Sequence, residues 1–208
     1  MLPTLSAYIA QRLPEMEHLP QERKALLQQL AQYVKHKHQL GAAAHLVFIC
    51  THNSRRSHMS QLWAQAAAHY YGVAPVFTYS GGTEATAFNP SAVAAMQKAG
   101  FSIAEKTGGK NPVFEVAFSA DAPSLQAFSK VYSEAPNPQA NFCALMTCSE
   151  ADQNCPMVLG ADGRVALSYD DPKAFDGTPQ QLQKYEERCA QIAVEMLYAF
   201  SLLKNSTK

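Results

Sequence analysis

Four side chains that can do chemistry lie close together between positions 50 and 57 of this 208-residue chain. Cys50 carries a thiol that becomes a nucleophile once it is ionised, and Arg56 can bind two oxygens of a tetrahedral anion. Ser57 can donate its hydroxyl to the thiolate, and Asn53 tolerates the left-handed backbone that a tight turn needs. This spacing predicts a cysteine nucleophile inside an oxyanion-binding loop.

The segments on the two sides of this loop have different apolar patterns. Residues 45–49 are almost continuously apolar and rich in β-formers, which predicts a strand buried on both faces. After Ser57 the apolar residues recur at steps of three and four, which predicts a helix. The turn between them gathers backbone N–H groups that attract an oxyanion. That context favours the functional interpretation over a chance pairing with a small core cysteine.

A second group of thiols follows an apolar run at residues 142–147, which predicts another buried strand. Cys148 and Cys155 are seven residues apart in a polar segment, and they can form a disulfide if that segment loops or partly unwinds. The alternative is a zinc site made by Cys143, Cys148, Cys155 and a histidine. The odd spacing of Cys143 and Cys148 within a strand sends their side chains to opposite faces, which favours redox chemistry. Cys143 and Cys189 are expected in the core.

An aspartate stands at the end of the next β-rich segment, residues 165–169, which predicts a fourth strand. Asp171 precedes Pro172, and a residue before proline is biased toward an extended conformation. An acid held there, at the carboxyl edge of a parallel sheet, can protonate an oxygen that leaves the loop. Taken alone, the Asp-Asp-Pro sequence is more typical of a turn.

The order of these elements predicts an α/β fold with a doubly wound, four-stranded parallel sheet. Residues 75–80 supply the remaining strand, and residues 1–43 form an N-terminal helical extension. The domain then runs from 44 to 208, with an inserted β excursion at about 110–138 that carries strands at 113–118 and 128–132. The extension is expected to pack on the sheet or on a second subunit, which leaves a homodimer through these helices open.

Composition excludes several classes of function. The 17 basic and 17 acidic residues balance, so nothing indicates nucleic acid or an anionic membrane as partner. No signal peptide or membrane span is recognisable, so a cytoplasmic location is expected. Gly108-Gly109-Lys110 lacks the spacing of a nucleotide-binding loop, and His36 with His38 fits a solvated helix end better than a metal site. No metal or cofactor is expected.

The sequence of residues 50–57, Cys-Thr-His-Asn-Ser-Arg-Arg-Ser, resembles the active-site loop of the low-molecular-weight protein tyrosine phosphatases and of the thioredoxin-coupled arsenate reductases that share their fold. The resemblance extends over about residues 44–199. Residues 148–156 are similar to the redox stretch of the reductase branch, and both branches use an aspartate directly before a proline as the general acid. The catalytic residues so implied are Cys50, Arg56, Asp171, Cys148 and Cys155. The implied oxyanion-binding residues are Thr51, His52, Asn53, Ser54, Arg55, Arg56 and Ser57.

The resemblance to the reductases implies a cysteine relay. Cys50 attacks arsenate held by the loop and Arg56, while Asp171 protonates the departing hydroxide. Cys148 then attacks Cys50 and releases arsenite, and Cys155 attacks Cys148 to move the disulfide outward, where thioredoxin reduces it.

Two other functions stay open. The chain can be a phosphatase that hydrolyses phosphotyrosine through a phosphocysteine, with Cys50, Arg56 and Asp171 sufficient, or a non-enzymatic oxyanion sensor. The sequence also departs from the resemblance at two positions. Arg55 stands where a second loop cysteine is usual, and Gln61 stands where reductases that use structural potassium carry an acidic residue.

Overall fold

The computed structural model describes residues 1–154 and 157–204. The described strands are β1 (Ala44–Cys50), β2 (Val76–Gly82), β3 (Ser102–Glu105), β4 (Phe114–Ala117), β5 (Leu125–Ala127), β6 (Phe142–Met146) and β7 (Ala161–Ala166). The α-helices are α1 (Pro3–Arg12), α2 (Gln21–Gln39), α3 (Arg56–Tyr70), α4 (Pro90–Lys98), α5 (Ser149–Asn154) and α6 (Gln181–Ser201). Short 3-10 helices cover Leu13–His18 and Pro172–Phe175. No helix in the described part of the chain is both long and apolar enough to cross a membrane.

The central sheet has four parallel strands in the order β2-β1-β6-β7. It confirms the predicted α/β class and the four-stranded parallel architecture. Because the strands are parallel, the ends of β1, β6 and β7 meet at one edge of the sheet. That edge carries the loop after Cys50, the segment that begins at Cys148, and the segment that contains Asp171.

Alternation along β1 divides the interior into two clusters, because neighbouring side chains of a strand point to opposite faces. Leu46 and Phe48 face a large core that the helices α1 to α4 and α6 cover. Val47 and Ile49 face a smaller cluster on the other side, which also contains Cys50 at the end of the strand and side chains of β6 and α5. Both thiols of the predicted relay that the structure describes, Cys50 and Cys148, belong to this second cluster.

The N-terminal extension packs into the large core of its own chain. Leu5 and Ile9 of α1 and Leu27 and Leu30 of α2 have no exposed surface. The first helix ends at Arg12 because Pro14 has no N–H for an α-helical hydrogen bond, and a 3-10 turn follows. A homodimer through these helices stays a prediction.

The excursion pairs with β3, which precedes it, in a small antiparallel sheet with the order β3-β4-β5. The prediction of a strand at 128–132 was wrong, because β5 lies earlier, at Leu125–Ala127. Within 128–132, only Val131 makes a β-bridge, and its partner is Gly82. Ser129 and Lys130 direct hydrogen bonds to the loop after β1 instead, through the Ser129 hydroxyl to the His52 carbonyl and the Lys130 N–H to Asn53.

The fourth strand of the sheet also differs from expectation. It covers Ala161–Ala166, so it begins and ends earlier than the predicted 165–169. The carbonyls of Ser168 and Tyr169 accept hydrogen bonds from Arg23 and Arg56 rather than from a neighbouring strand. The N–H groups of Leu167 and Tyr169 still donate to the carbonyls of Met146 and Thr147, at 2.8 and 3.1 Å. The segment therefore stays beside the end of β6, while two guanidinium groups bind its carbonyls.

Candidate active site

The loop at residues 51–55 makes a tight turn between β1 and α3. Asn53 takes a φ of 43°, the left-handed geometry expected from its residue type. Gly82, at the end of β2, lies directly against this turn. A Cβ added to Gly82 would lie 2.7 Å from both the backbone nitrogen of Asn53 and the carbonyl oxygen of Thr51, so the loop requires glycine there.

A chain of hydrogen bonds ends on the Cys50 thiol. The backbone N–H of Lys130 donates to Oδ1 of Asn53 at 2.9 Å, which turns Nδ2 of Asn53 toward the Ser57 hydroxyl, also at 2.9 Å. Because Ser57 Oγ accepts that bond, its own hydrogen is free for Cys50 Sγ at 3.1 Å. The chain therefore directs the Ser57 hydroxyl as a donor to the Cys50 sulfur.

Donors for an anion lie around this thiol. Among the described residues, the backbone N–H groups of 52–55 donate no hydrogen bond. Nε of Arg56 is buried and has no partner within 1–154 and 157–204. N–H donors that have no partner and lie at the start of a helix suit a tetrahedral oxyanion.

The outer nitrogens of Arg56 contact the 169–171 segment. Nη1 donates to the Tyr169 carbonyl at 2.9 Å, and Nη2 donates to Oδ2 of Asp171 at 2.6 Å. Oδ1 of Asp171 accepts from the Lys173 N–H at 3.0 Å and caps the 3-10 helix that starts at Pro172. The carboxylate is therefore fixed beside Arg56 by its own turn.

A buried network connects the N-terminal extension to this segment. Arg23 of α2 donates to both carboxylate oxygens of Glu195, at 3.1 and 2.5 Å, and to the Ser168 carbonyl at 3.2 Å. The Tyr169 hydroxyl donates to the same carboxylate at 2.8 Å. Burial, followed by the charge of Glu195, holds the pKa of Tyr169 well above its ordinary value. Tyr169 is thus a neutral donor whose carbonyl fixes Arg56.

The Arg55 side chain points away from the predicted anion position. Its Nε donates to the Tyr185 hydroxyl at 2.8 Å, and its Nη2 lies 3.4 Å from Oδ2 of Asp176. Oδ1 of Asp171 is 3.9 Å from Arg55 Nε. Where the resemblance implies a thiol, this chain has a guanidinium that ties α6 to the segment carrying Asp171.

The other loop side chains have partners around the rim. His52 Nε2 lies 2.9 Å from Oε1 of Glu84. The carbonyl of Ser54 accepts from the N–H of Asn89, the residue that caps α4. The second strand–helix unit therefore supports the loop from the side opposite α5.

Cys148 lies next to the loop through Thr51. Its Sγ is 3.4 Å from the Thr51 hydroxyl, and that hydroxyl donates to Oε2 of Glu150 at 2.9 Å. Cys148 is 1 % exposed and Cys50 is 3 % exposed. The predicted third thiol, Cys155, lies outside the described residues.

The two remaining cysteines are in the core, as predicted. Cys143 and Cys189 belong to the large cluster, and burial raises the pKa of each to about 12. Cys143 and Cys148 fall in different clusters on opposite faces of the sheet, as the odd spacing predicted. No group of three or more potential metal ligands occurs within the described ranges.

A lysine that the sequence analysis did not single out provides a buried positive charge behind the loop. Lys130 is 4 % exposed, and burial lowers the pKa of its ammonium to about 8. Burial, together with the charge on Lys130, keeps the pKa of His58 well below its ordinary value. Gln61, at the position discussed for potassium, donates through Nε2 to the Thr78 carbonyl at 3.1 Å.

The loop opens into a cleft of about 710 Å³. Most of its lining residues are charged or polar, and His52 and Tyr169 contribute the aromatic rings among the described residues that form it. The lining residues are His52, Arg56, Cys148, Ser149, Glu150, Tyr169, Asp170, Asp171, Lys173 and Ala174.

No family model matches the sequence. The chain is 30% identical over 136 residues to the arsenate reductase of Halalkalibacterium halodurans, covering 65% of this chain and 79% of that protein. It is 31% identical over 127 residues to the arsenate reductase of Brevibacillus brevis, covering 61% of this chain and 75% of that protein. The arsenate reductase of Bacillus licheniformis is 29% identical over 145 residues, covering 69% and 84%.

Solved structures show the same fold. A YwlE mutant from Bacillus subtilis superposes with a TM-score of 0.51 at 17% identity, covering 78% of this chain and 99% of that chain. A low-molecular-weight phosphotyrosine phosphatase from Vibrio cholerae superposes with a TM-score of 0.52 at 10% identity, covering 79% and 99%. With relatives at 30% identity matched over more than two thirds of their length, the chain belongs to the family of these arsenate reductases, and it has the fold of the low-molecular-weight phosphotyrosine phosphatases.

Proposed function

We propose that this protein reduces arsenate to arsenite through a relay of cysteines. The observation that carries the proposal is the second thiol, Cys148, which contacts Thr51, the residue directly after the nucleophile Cys50. Ester hydrolysis needs only Cys50, Arg56 and Asp171 and gives no reason for a buried thiol beside the loop. The curated relatives, which are named arsenate reductases, also support the proposal.

In the first step the Cys50 thiolate attacks the arsenic of arsenate, a sulfur–arsenic bond forms, and hydroxide departs. The loop N–H groups that donate no other hydrogen bond, together with Nε of Arg56, bind the oxyanion. An anion that binds Arg56 competes with Asp171 for the same guanidinium. Asp171, displaced from Arg56 but still on its 3-10 turn, takes up the proton that the Cys50 thiol loses and passes it to the departing hydroxide, which leaves as water.

In the second step Cys148 attacks the sulfur of Cys50. A disulfide forms, the sulfur–arsenic bond breaks, and its electron pair stays on arsenic, which is reduced by two electrons and leaves as arsenite. Cys155 then attacks Cys148, which frees Cys50 and moves the disulfide to Cys148 and Cys155. A dithiol protein of the thioredoxin class is the reductant proposed for this second disulfide, with no tightly held cofactor needed.

The cleft also favours a small inorganic anion over a phosphorylated tyrosine side chain. The ring of Tyr169 is buried and its hydroxyl points to Glu195, so it offers no face for an aryl ring at the mouth. The His52 imidazole contacts Glu84 through Nε2, and the other lining side chains are short or charged. The phosphatase remains the second candidate, because the fold neighbours include phosphatases and the Cys50, Arg56 and Asp171 set suffices for it. A pure sensor leaves the placement of Asp171 unexplained.

The test compares two activities in the same preparations. Arsenate-dependent NADPH oxidation is measured with thioredoxin and its reductase, and hydrolysis of an aryl phosphate is measured separately. Cys50→Ser is expected to stop both, whereas Cys148→Ser and Cys155→Ser stop arsenate turnover alone. Cys143→Ala is the matched control, since that thiol lies in the large core on the opposite face of the sheet.

Three outcomes refute or redirect the proposal. Arsenate turnover that survives loss of both Cys148 and Cys155 rules out the relay. Ester hydrolysis without any arsenate turnover in the unaltered protein favours the phosphatase. Inertness toward both substrates, with oxyanion binding retained, favours the sensor.

A further inference from the structure

Cys148 must lose a proton before it can attack Cys50, yet only 1 % of it is exposed. Two groups contact its sulfur within the described residues. The N–H of Ala151 donates to it at 3.4 Å, and a donor cannot accept the proton. The Thr51 hydroxyl, at 3.4 Å, can act in both directions.

The direction of the Thr51 contact follows from its other partner. Thr51 has one hydroxyl hydrogen, and it donates that hydrogen to Oε2 of Glu150 at 2.9 Å, because a carboxylate can only accept. The Thr51 oxygen is therefore available as the acceptor for the Cys148 S–H. The three groups form one continuous path from thiol to carboxylate.

The outer end of this path is in contact with solvent. Glu150 is exposed, so a proton that reaches it can pass to water. The other carboxylates nearby have different partners: Asp171 contacts Arg56, and Asp152 contacts Arg164. Glu150 is the one carboxylate that the described contacts connect to Cys148.

We propose that Glu150 is the proton acceptor for Cys148, acting through Thr51; this inference rests on the proposed function. As the Cys148 sulfur bonds to the Cys50 sulfur, its proton moves to the Thr51 oxygen, and the Thr51 proton moves to Glu150. The sulfur–arsenic bond breaks, arsenic keeps the electron pair, and the two sulfurs are oxidised to a disulfide. Glu150 then releases its proton to water.

The test isolates this step in a Cys155→Ser background, where the Cys50–Cys148 disulfide cannot move outward. Enzyme is mixed with arsenate, quenched with an alkylating agent at successive times, and the disulfide is quantified by mass spectrometry. Glu150→Gln keeps the size of the side chain and an acceptor for Thr51, but it cannot take a proton at neutral pH. Asp152→Asn makes the same change in the same helix, outside the path.

The disulfide is expected to form about 10²-fold more slowly in Glu150→Gln at neutral pH, and at an unchanged rate in Asp152→Asn. The pH profile also separates a proton acceptor from a structural role. The Glu150→Gln rate should rise about tenfold for each pH unit as hydroxide replaces the carboxylate, while the reference changes far less once carboxyl groups are ionised, above about pH 6. The same cleft has other titratable or charged groups, which are unchanged between the reference and the Glu150→Gln variant: His52, Arg56, Asp170, Asp171 and Lys173.

The outcomes separate the two hypotheses. A Glu150→Gln rate equal to the reference, or a slower rate with the reference pH profile, overturns the role of Glu150 and leaves the relay intact. A reference protein that forms no Cys50–Cys148 disulfide on arsenate overturns the proposed function itself. If Thr51→Val does not slow disulfide formation further in the Glu150→Gln variant, the two residues act on one path. If the double variant is slower by the product of the two single factors, that path is contradicted.

Discussion

The Arg23→Met substitution tests whether the N-terminal extension supports the active site. The change removes a guanidinium that donates to both oxygens of Glu195 and to the Ser168 carbonyl. Glu195 is 1 % exposed and would keep only neutral donors, the Tyr169 hydroxyl and the Gln191 amide. A buried charge that loses its partner costs about 3 to 5 kcal/mol.

The lower end of that range applies, because the Arg23 side chain is 19 % exposed and two donors to Glu195 remain. The free energy of unfolding should therefore fall by about 3 kcal/mol, which lowers the melting temperature by roughly 6–12 °C for a chain of this size. Urea unfolding at neutral pH measures the first quantity. Lys98→Met, which breaks an exposed pair with Glu186, is the control and should cost under about 1 kcal/mol.

The functional effect follows from Tyr169. Its carbonyl binds Nη1 of Arg56 at 2.9 Å, so a less ordered Tyr169 leaves Arg56 less fixed and should raise the KM for oxyanion about tenfold, an energy of about 1.4 kcal/mol. The double variant Arg23→Met, Glu195→Gln removes both charges and should recover most of the lost stability. If the single change costs less than about 0.5 kcal/mol, or if the double variant loses the sum of both single effects, the network does not support the site as argued.

Two further predictions concern the loop. Lys130→Met should raise the free energy of unfolding at pH 7 by up to about 3 kcal/mol, because burial lowers the pKa of Lys130 from 10.5 to about 8. The folded pKa lies below the unfolded one, so this cost is complete below about pH 8 and disappears toward about pH 10.5. Urea unfolding across that range checks it, and a gain that does not change with pH contradicts it. Gly82→Ala should lower arsenate turnover at least about 10²-fold by pushing the loop backbone. Gly108→Ala, in open space, is its control, and equal turnover in both would refute the argument.

The central part of the fold and the loop chemistry could be predicted from local sequence. The apolar run before Cys50 and the three-and-four spacing after Ser57 specify a strand and a helix over a few residues, and these are the strongest local signals. Parallel pairing then brings the ends of β1 and β6 to one edge, and Cys148 follows β6 there.

Contacts between distant segments could not be predicted in this way. Nothing in the sequence near Arg23 points to Glu195 or Tyr169, 172 and 146 positions away, because their meeting depends on how α2 packs against α6. Nor did any pattern single out Lys130 as buried, since lysine is ordinarily exposed. Glu150 stood inside the recognised segment 148–156, but only its distance to Thr51 gave it a role.

The sequence by itself determined the local elements around the proposed site, namely the strand before Cys50 and the helix after Ser57, because periodicity and residue type act over a few positions. Tertiary structure alone decided that Arg55 ties α6 to the segment of Asp171 and that residues 128–132 support the loop rather than extend a sheet. These outcomes depend on which of several partners a polar group finds. Such alternatives differ by about 1 kcal/mol each, and only the packed chain as a whole selects among them.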